Sequence, residues 1–409
     1  MTTKIGIIRE GKIPTDHRVP LSPEQCVRVM EEFPNVELVV QKSQIRSFKD
    51  KEYADLGIPL VDALDDCDII LGVKEVNLND LLPNKHYFFF SHTFKMQPYN
   101  RKLLQTIIEK KIQLTDYEVL TNETGNRIIG FGRYAGIVGC YNGFRTYGLK
   151  HSLYNLKPAH QCVDRKEMES ELCKIKLLKD TKIALTGFGR VGHGALEIMN
   201  MLPITEVSPE EFLEDVFNGP VFTHLGLADY IERNDGKEFD MEAFFEDGSG
   251  HKSNFPPYLH EADMYIACHY WENSSPFLVT REDLKNKNIR VSVIADISCD
   301  IDGPVASTIR PSTIADPIYG YDPINEQEVE FDNPNAIAVM AVDNLPCELP
   351  KDASIDFGNE LIKSVFPALF GEDPQAIIER GSQTTKDGKL TYEFKYLADY
   401  VAGKETIQL

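Results

Sequence analysis

No apolar run in this chain approaches the roughly 20 residues that a membrane span needs. The eight cysteines, Cys26, Cys67, Cys140, Cys162, Cys173, Cys268, Cys299 and Cys347, stand singly and form no CxxC pair. A structural zinc and a disulfide framework are therefore not expected, and free thiols are. No block of lysine or arginine occurs, and the formal net charge is −21. Such a surface repels nucleic acid and anionic membrane. The opening MTTKIGIIRE passes straight into a strand pattern and lacks the shape of a signal peptide, so a cytoplasmic location is expected. HExxH, a serine nucleophile elbow and a Walker lysine are all absent from the sequence, and no metal site is expected.

The most informative stretch that is present reads IALTGFGRVGHG at residues 183–194. An apolar strand stops abruptly at Gly187-x-Gly189-x-x-Gly192, and a helix over His193–Leu202 is expected to follow. Glycines there let backbone N–H groups approach a pyrophosphate, and a helix N-terminus favours its negative charge. The alternative is a purely structural glycine turn. About 180 residues precede the motif, an unusual position for a cofactor turn.

Before it, strands and helices alternate. Strands are expected at Lys4–Ile8, Glu37–Gln41, Asp68–Val73, Tyr87–Ser91 and Ile112–Thr115. Helices are expected at Pro23–Glu32, capped by Ser22, at Asp50–Leu56 and at Tyr99–Glu109. A Gly/Ala-rich stretch, Gly136–Gly148, reads as a long helix, and Lys157–Lys179 as a polar linker. After the glycine turn, 208–260 reads as an insertion with some local helix, because it is too long for an ordinary loop. Strands resume at Met264–His269 and Arg290–Ile294, with a last one at Ala336–Val342. Glu348–Phe370 is mainly helical and 381–389 is a polar tail. The fold class is α/β, with two Rossmann-like domains built on parallel sheets. The substrate domain is expected to comprise 1–135 plus 336–409. The NAD(P)-binding domain, 136–335, is expected to be inserted into it, with a cleft between the two.

Charged residues recur at the carboxyl ends of the N-terminal strands. Arg9, Glu10, Lys12 and Arg18 follow the first strand. Lys74 follows DIILGV. His92 follows YFFFS, with Lys95 and Gln97 close behind. Asp116, Glu118 and Arg127 follow Gln113–Thr115. Ligands of open α/β sheets bind at such ends. Arginines there suit bidentate carboxylate binding, and Lys74 and His92 suit proton transfer if their surroundings tune them. The blander readings are solvated surface charges and a hydrogen-bonded core histidine. Asp300, in ADISCD, ends a strand of the second half, where a carboxylate would orient a cationic amine.

The set REGKIPTDHRVPLSP, ILGVKE, FFFSHTFKMQ, DYE, GFGRYAG, DISCD and VDNLPCELP resembles the alanine dehydrogenase and lysine-forming saccharopine dehydrogenase superfamily, in order from about Lys4 to Leu369. The likeness is closest to the lysine–ketoglutarate reductase half of bifunctional aminoadipic semialdehyde synthase, which shares a YWE segment, here at 270–272. The resemblance implies an NAD(P)-dependent oxidoreductase that joins lysine and 2-oxoglutarate into saccharopine. Lys74 and His92 fall on the family's acid–base pair, and Arg18 on its substrate-carboxylate arginine. Asp300 falls on an aspartate at the cofactor–substrate junction and Asn344 on an asparagine beside the nicotinamide. Lys95 and Arg127 match basic residues that the alanine branch lacks. Glu118 matches an acid of the saccharopine branch, and Gln97 accompanies them as a substrate residue. Gly187, Gly189, Arg190 and Gly192 are the implied cofactor turn.

One departure concerns the acid that binds the adenine ribose, expected about 20 residues after the glycine turn. There the chain reads ITEVSPEEF, with Glu206 and Glu210 bracketing the expected place and Ser208 between them. NAD and NADP both stay open, as do the direction of the reaction and the oligomeric state. An alanine dehydrogenase-type enzyme and a non-catalytic dinucleotide sensor are the alternative functions.

Overall fold

Alternating Val, Ile, Leu and aromatic residues produce six short strands in the first 120 residues of the computed structural model, which describes residues 2–404. They are β1 (Thr3–Ile7), β2 (Val36–Gln41), β3 (Leu60–Val61), β4 (Ile69–Leu71), β5 (His86–Phe89) and β6 (Gln113–Asp116). All pair in parallel, in the order β3-β2-β1-β4-β5-β6. Helices α1 (Pro23–Glu32), α2 (Asp50–Asp55) and α3 (Arg101–Glu109) connect them. Ser22 caps α1 in a reciprocal box with Gln25, and Pro23 occupies the first helical position, where its missing N–H costs nothing.

The period of two along β5 divides the core. Phe88 and Phe90 join Ile5, Ile7 and Leu38 on one face, together with Phe357, Leu361, Val365 and Phe366 from the C-terminal helices. Tyr87 and Phe89 pack on the other with Ile70, Leu103 and Ile107. The N-terminal sheet thus depends on the end of the chain for half of its cover, because burying both faces is what stabilises a parallel sheet.

The chain divides into two compact units, one joining the stretch up to Phe131 to that from Pro350 onward, the other spanning Gly132–Leu349. The expected boundaries are therefore corrected. The run expected at Ala336–Val342 is the strand β16 (Ile337–Met340), which pairs with β13 (Val293–Asp296) and so belongs to the second unit.

The second unit opens with α4 (Gly132–Lys150), buried for most of its length. Its sheet contains β7 (Lys182–Thr186), β8 (Thr205–Glu206), β9 (Val221–Leu225), β12 (Met264–Ala267), β13, β14 (Ile318–Asp322), β15 (Gln327–Val329) and β16. The order is β15-β14-β16-β13-β12-β7-β9-β8. β10 (Ile231–Arg233) and β11 (His251–Ser253) form a small antiparallel pair of their own. Two expectations change here. The stretch 208–260 is not simply an insertion, since it holds the fully buried β9 beside β7. Its VFTHL is short enough to be lost among flanking polar residues. The supposed linker at 157–179 contains the helix α5 (Arg165–Glu171), whose Arg165 reaches Glu197 at 2.9 Å.

Glycines set the packing of α4 on α6 (Arg190–Met199). A Cβ on Gly136 would sit 1.9 Å from the Val191 carbonyl oxygen, and one on Gly194 2.0 Å from that of Arg133. The two backbones are in contact, which explains the Gly/Ala richness that marked this helix in the sequence.

Among the described residues, no helix is long and apolar enough to cross a membrane, and no group of three or more His, Cys, Asp or Glu is placed to hold a metal.

Candidate active site

The carboxyl edge of the first sheet gathers the charged residues that follow β1, β4, β5 and β6. Two buried carboxylates hold their loops. Glu10, after β1, accepts from the backbone N–H of Val73 at 2.7 Å and of Lys74 at 3.1 Å. Its burial pushes its carboxyl up to about 7. Asp116, at the end of β6, accepts from the N–H of Ser91 at 2.9 Å and of His92 at 3.2 Å, and from the Ser91 hydroxyl at 2.5 Å. Full burial raises its carboxyl as well.

These contacts place Lys74 and His92. Burial lowers the Lys74 ammonium from its ordinary value, and the neighbouring Arg18 lowers it further. His92 adopts a left-handed conformation, φ 55°, uncommon for a residue other than glycine. Its Nδ1 lies 2.7 Å from Glu75 Oε1, and its Nε2 lies 3.6 Å from Glu118 Oε2. Glu75 also takes Lys12 Nζ at 2.5 Å. Burial opposes its ionisation, but the hydrogen bonds from His92 and Lys12 outweigh this and hold its carboxyl at about 2.

Glu118 is the meeting point of the expected substrate residues. Lys95 Nζ is 2.9 Å from its Oε1, and Arg127 Nη1 is 3.7 Å away. Burial works against the Glu118 carboxylate, yet Lys95 and Arg127 keep it below its ordinary range. Arg127 also stands over the Phe90 ring, 5.4 Å from its centroid. Lys95, His92, Glu118 and Arg127 are thus one cluster.

Two expected residues are placed differently. Arg18 is 3% exposed, and its Nε and Nη2 donate to the two oxygens of Asp16 at 3.0 and 2.6 Å. It also stacks over Phe131 at 4.1 Å. The Asp16 carboxylate, which burial alone would push up, is held well below the usual range by that guanidinium. Arg18 is therefore held in its own loop by Asp16 and Phe131. Gln97 turns its amide oxygen to the Tyr99 hydroxyl, and its backbone carbonyl accepts from Tyr400 at 2.6 Å.

Gln383 was not singled out in the sequence. It lies in the polar stretch 381–389, of which Ser382, Gln383 and Thr384 are buried. Its Oε1 accepts from Thr93 Oγ1 at 2.6 Å, and its Nε2 donates to Ser91 Oγ at 3.2 Å and Asp116 Oδ2 at 3.3 Å. The only sequence signal was polarity itself in a segment that returns to a sheet edge, where Leu114 donates to Thr384.

In the second unit, the glycine turn, Asp300 and Asn344 follow β7, β13 and β16, which all run in the same direction. The turn fits a dinucleotide. Gly187 has φ +97°, and a Cβ there would meet the Cys268 carbonyl oxygen at 2.2 Å. A Cβ on Gly192 would meet the Gly187 carbonyl oxygen at 1.8 Å, whereas one on Gly189 would meet nothing within 4 Å. Gly189 therefore faces open space where a pyrophosphate can approach, and α6 starts there, earlier than expected, without a side-chain cap. Arg190 is its first residue and is exposed. Asp300 and Asn344 are half-buried in their loops. The loop carrying Asp300 is held by Asp296, which accepts from Ser298 Oγ and Thr308 Oγ1, both at 2.6 Å.

A twisted parallel sheet edged with charge, followed by a glycine-turn sheet, is the arrangement of a nicotinamide-dependent dehydrogenase. Residues 6–138 match the family model for the alanine dehydrogenase/PNT N-terminal domain, and residues 171–391 that for its C-terminal domain. The chain belongs to this oxidoreductase family and takes a nicotinamide dinucleotide as cofactor. It is 30% identical, over 96% of its length, to the alpha-aminoadipic semialdehyde synthase of Arabidopsis thaliana, and 28% identical over 99% to the mitochondrial synthase of Mus musculus. It spans 41% and 48% of those longer proteins. The lysine-forming, NAD-dependent saccharopine dehydrogenase of Emericella nidulans is 27% identical over 89% of this chain and 92% of that one. Among solved structures, an L-alanine dehydrogenase superposes with a TM-score of 0.64 over 98% of this chain and all of its own, at 16% identity, so the likeness is one of fold.

Proposed function

We propose that the protein joins lysine and 2-oxoglutarate reversibly into saccharopine, as a lysine-forming saccharopine dehydrogenase. The observation that carries this reading is the convergence of Lys95 and Arg127 on Glu118 beside His92. Two cations around one acid suit a substrate that brings several carboxylates together with cationic amine nitrogen. Saccharopine has three carboxylates, where alanine has one. The names of the relatives point the same way.

In this mechanism, Lys95 and Arg127 take substrate carboxylates and Glu118 takes the amine. The lysine amine adds to the keto carbon to give a carbinolamine, which loses water to an imine. The bound dinucleotide supplies hydride in this direction and accepts it in the other. Glu75 is ionised and can only accept, so Nδ1 of His92 is the protonated nitrogen and Nε2 the basic one. Nε2 exchanges the proton of the carbinolamine oxygen. Lys74, with its ammonium made more acidic by burial, exchanges the second proton. Arg18 and Gln97 border the same loops, and Asp300 and Asn344 serve the nicotinamide end.

The deciding assay is oxidation of saccharopine, with pyruvate plus ammonia run beside lysine plus 2-oxoglutarate. Turnover of the lysine pair at least tenfold above the pyruvate pair is expected. The reverse order makes the chain an alanine dehydrogenase-type enzyme, and dinucleotide binding without any oxidation makes it a sensor.

A further inference from the structure

A chain of buried polar side chains crosses three adjacent strands of the second sheet. β7, β12 and β13 pair in parallel, with Thr186 beside Ala267 and Ala267 beside Asp296 at their carboxyl ends. Thr186 and Asp296 are fully buried, and His269, two residues past β12, is 5% exposed. The Thr186 hydroxyl lies 3.0 Å from that of Tyr265, and the Tyr265 hydroxyl 3.2 Å from His269 Nδ1. His269 Nε2 lies 3.5 Å from Ser298 Oγ, which donates to Asp296 Oδ1 at 2.6 Å.

The carboxylate at the far end fixes the direction of these bonds. It only accepts, so the Ser298 hydroxyl donates to Asp296 and accepts from His269. Nε2 therefore carries the hydrogen, and Nδ1 accepts from Tyr265, whose oxygen is left to accept from Thr186. The ring is neutral in this arrangement, and burial holds the imidazole down at about 4.

Asp296 in turn holds the turn that presents Asp300. It accepts from the Cys299 N–H at 3.2 Å and from Thr308 Oγ1 at 2.6 Å. Cys299 and Asp302, which flank Asp300, have left-handed backbones with φ 53° and 51°. Residues in that region persist only where their surroundings hold them. At its other side, His269 meets the glycine turn through its backbone, for a Cβ on Gly187 would lie 3.1 Å from the His269 nitrogen.

We infer that His269 is a positioning residue that locks the turn 299–303, and so Asp300, through Ser298 and Asp296. An imidazole bridges Tyr265 and Ser298 because its two nitrogens face opposite ways, one accepting and one donating. Without it, the Ser298 hydroxyl loses the donor that orients it toward Asp296. The inference rests on the placement of Asp300 at the nicotinamide end and on no choice of substrate.

Hydrogen exchange of the whole chain without ligand tests it. The amides of Cys299, Asp302 and Gly303 are all hydrogen-bonded within the turn or to its supports. His269→Leu is expected to speed exchange across 299–303 about tenfold, the size of one lost hydrogen bond, and to leave β7 protected. His269→Gln, whose side-chain N–H still reaches Ser298, is expected to restore most of the protection. Ser298→Ala is expected to match His269→Leu, and the double variant to exchange no faster than either, because the two act in one chain. Unchanged exchange in folded His269→Leu or in Ser298→Ala, or effects that add in the double variant, overturns the inference. In turnover, His269→Leu is expected to lower kcat about tenfold while the Kd for NADH, read by nicotinamide fluorescence, stays within about threefold. An equal loss of NADH affinity reduces His269 to packing and also overturns the inference. Faster exchange with kcat unchanged overturns the placement of Asp300. A parent chain that turns over neither lysine plus 2-oxoglutarate nor pyruvate plus ammonia overturns the proposed function, and the exchange measurement still decides the role of His269.

Discussion

Glu75 Oε1 and His92 Nδ1 lie 2.7 Å apart, and this contact sets which nitrogen of the imidazole can take a proton. Removing the proposed base, in His92→Gln, or the proposed acid, in Lys74→Met, should lower turnover about 10²–10⁴-fold. Glu75→Gln leaves the ring free to flip its tautomer and should cost less, about tenfold. Steady-state turnover at saturating substrate checks all three. Full turnover in both His92→Gln and Lys74→Met would falsify the assignment.

Lys95 and Arg127 both lean on Glu118, and a carboxylate substrate can take over either cation. Lys95→Met and Arg127→Met should each raise KM for the dicarboxylate substrate about 10–100-fold, the loss of one charge-assisted bond, and change kcat much less. A change confined to kcat is the outcome that speaks against substrate binding.

Glu10 makes stability depend on pH. Its carboxyl rises from an ordinary 4.5 to about 7 in the fold, so its ionised form is disfavoured there. The penalty is absent below pH 4.5, grows as pH rises, and is complete above about 7. That shift, 4.5 to about 7, is worth on the order of 3 kcal/mol. Glu10→Gln should therefore gain on the parent chain between pH 5 and 8, measured by urea unfolding across that range. A difference independent of pH contradicts the raised carboxyl.

Gln383 ties Thr93, Ser91 and Asp116 together beneath His92. Gln383→Met keeps the shape and orphans those groups, which should cost about 1–3 kcal/mol of stability. Because His92 loses its support, kcat should also fall while KM holds. An unchanged kcat in a folded variant reduces Gln383 to a packing role.

Gly136→Ala places a methyl 1.9 Å from the Val191 carbonyl oxygen. The helices α4 and α6 must separate, at a cost of about 1–3 kcal/mol or more. A lower melting temperature is expected, with weaker dinucleotide binding, since the same α6 begins at the glycine turn. An unchanged melting temperature shows that the two backbones can part freely.

Five strands of the first sheet, α1 with its Ser22 cap, β7 and the glycine turn were legible because each is specified locally, whereas the two-residue β3 was not expected. Alternation, caps and glycine spacing act within a few residues. The residues of the Glu118 cluster were legible for a related reason: each sits at the end of a readable strand. β9 and the buried stretch 382–384 were not legible. Their sequences are short or polar, and their places depend on partners far along the chain, Thr186 for one and Leu114 for the other. Arg18 shows the same limit, since nothing in its spacing revealed that Asp16 and Phe131 would enclose it.

The sequence by itself thus determined a family, a cofactor turn and a set of charged strand ends. Tertiary structure alone decided that β9, and not β8, lies beside β7. Strand order is a long-range choice made by backbone pairing across the sheet, and local spacing carries no record of it.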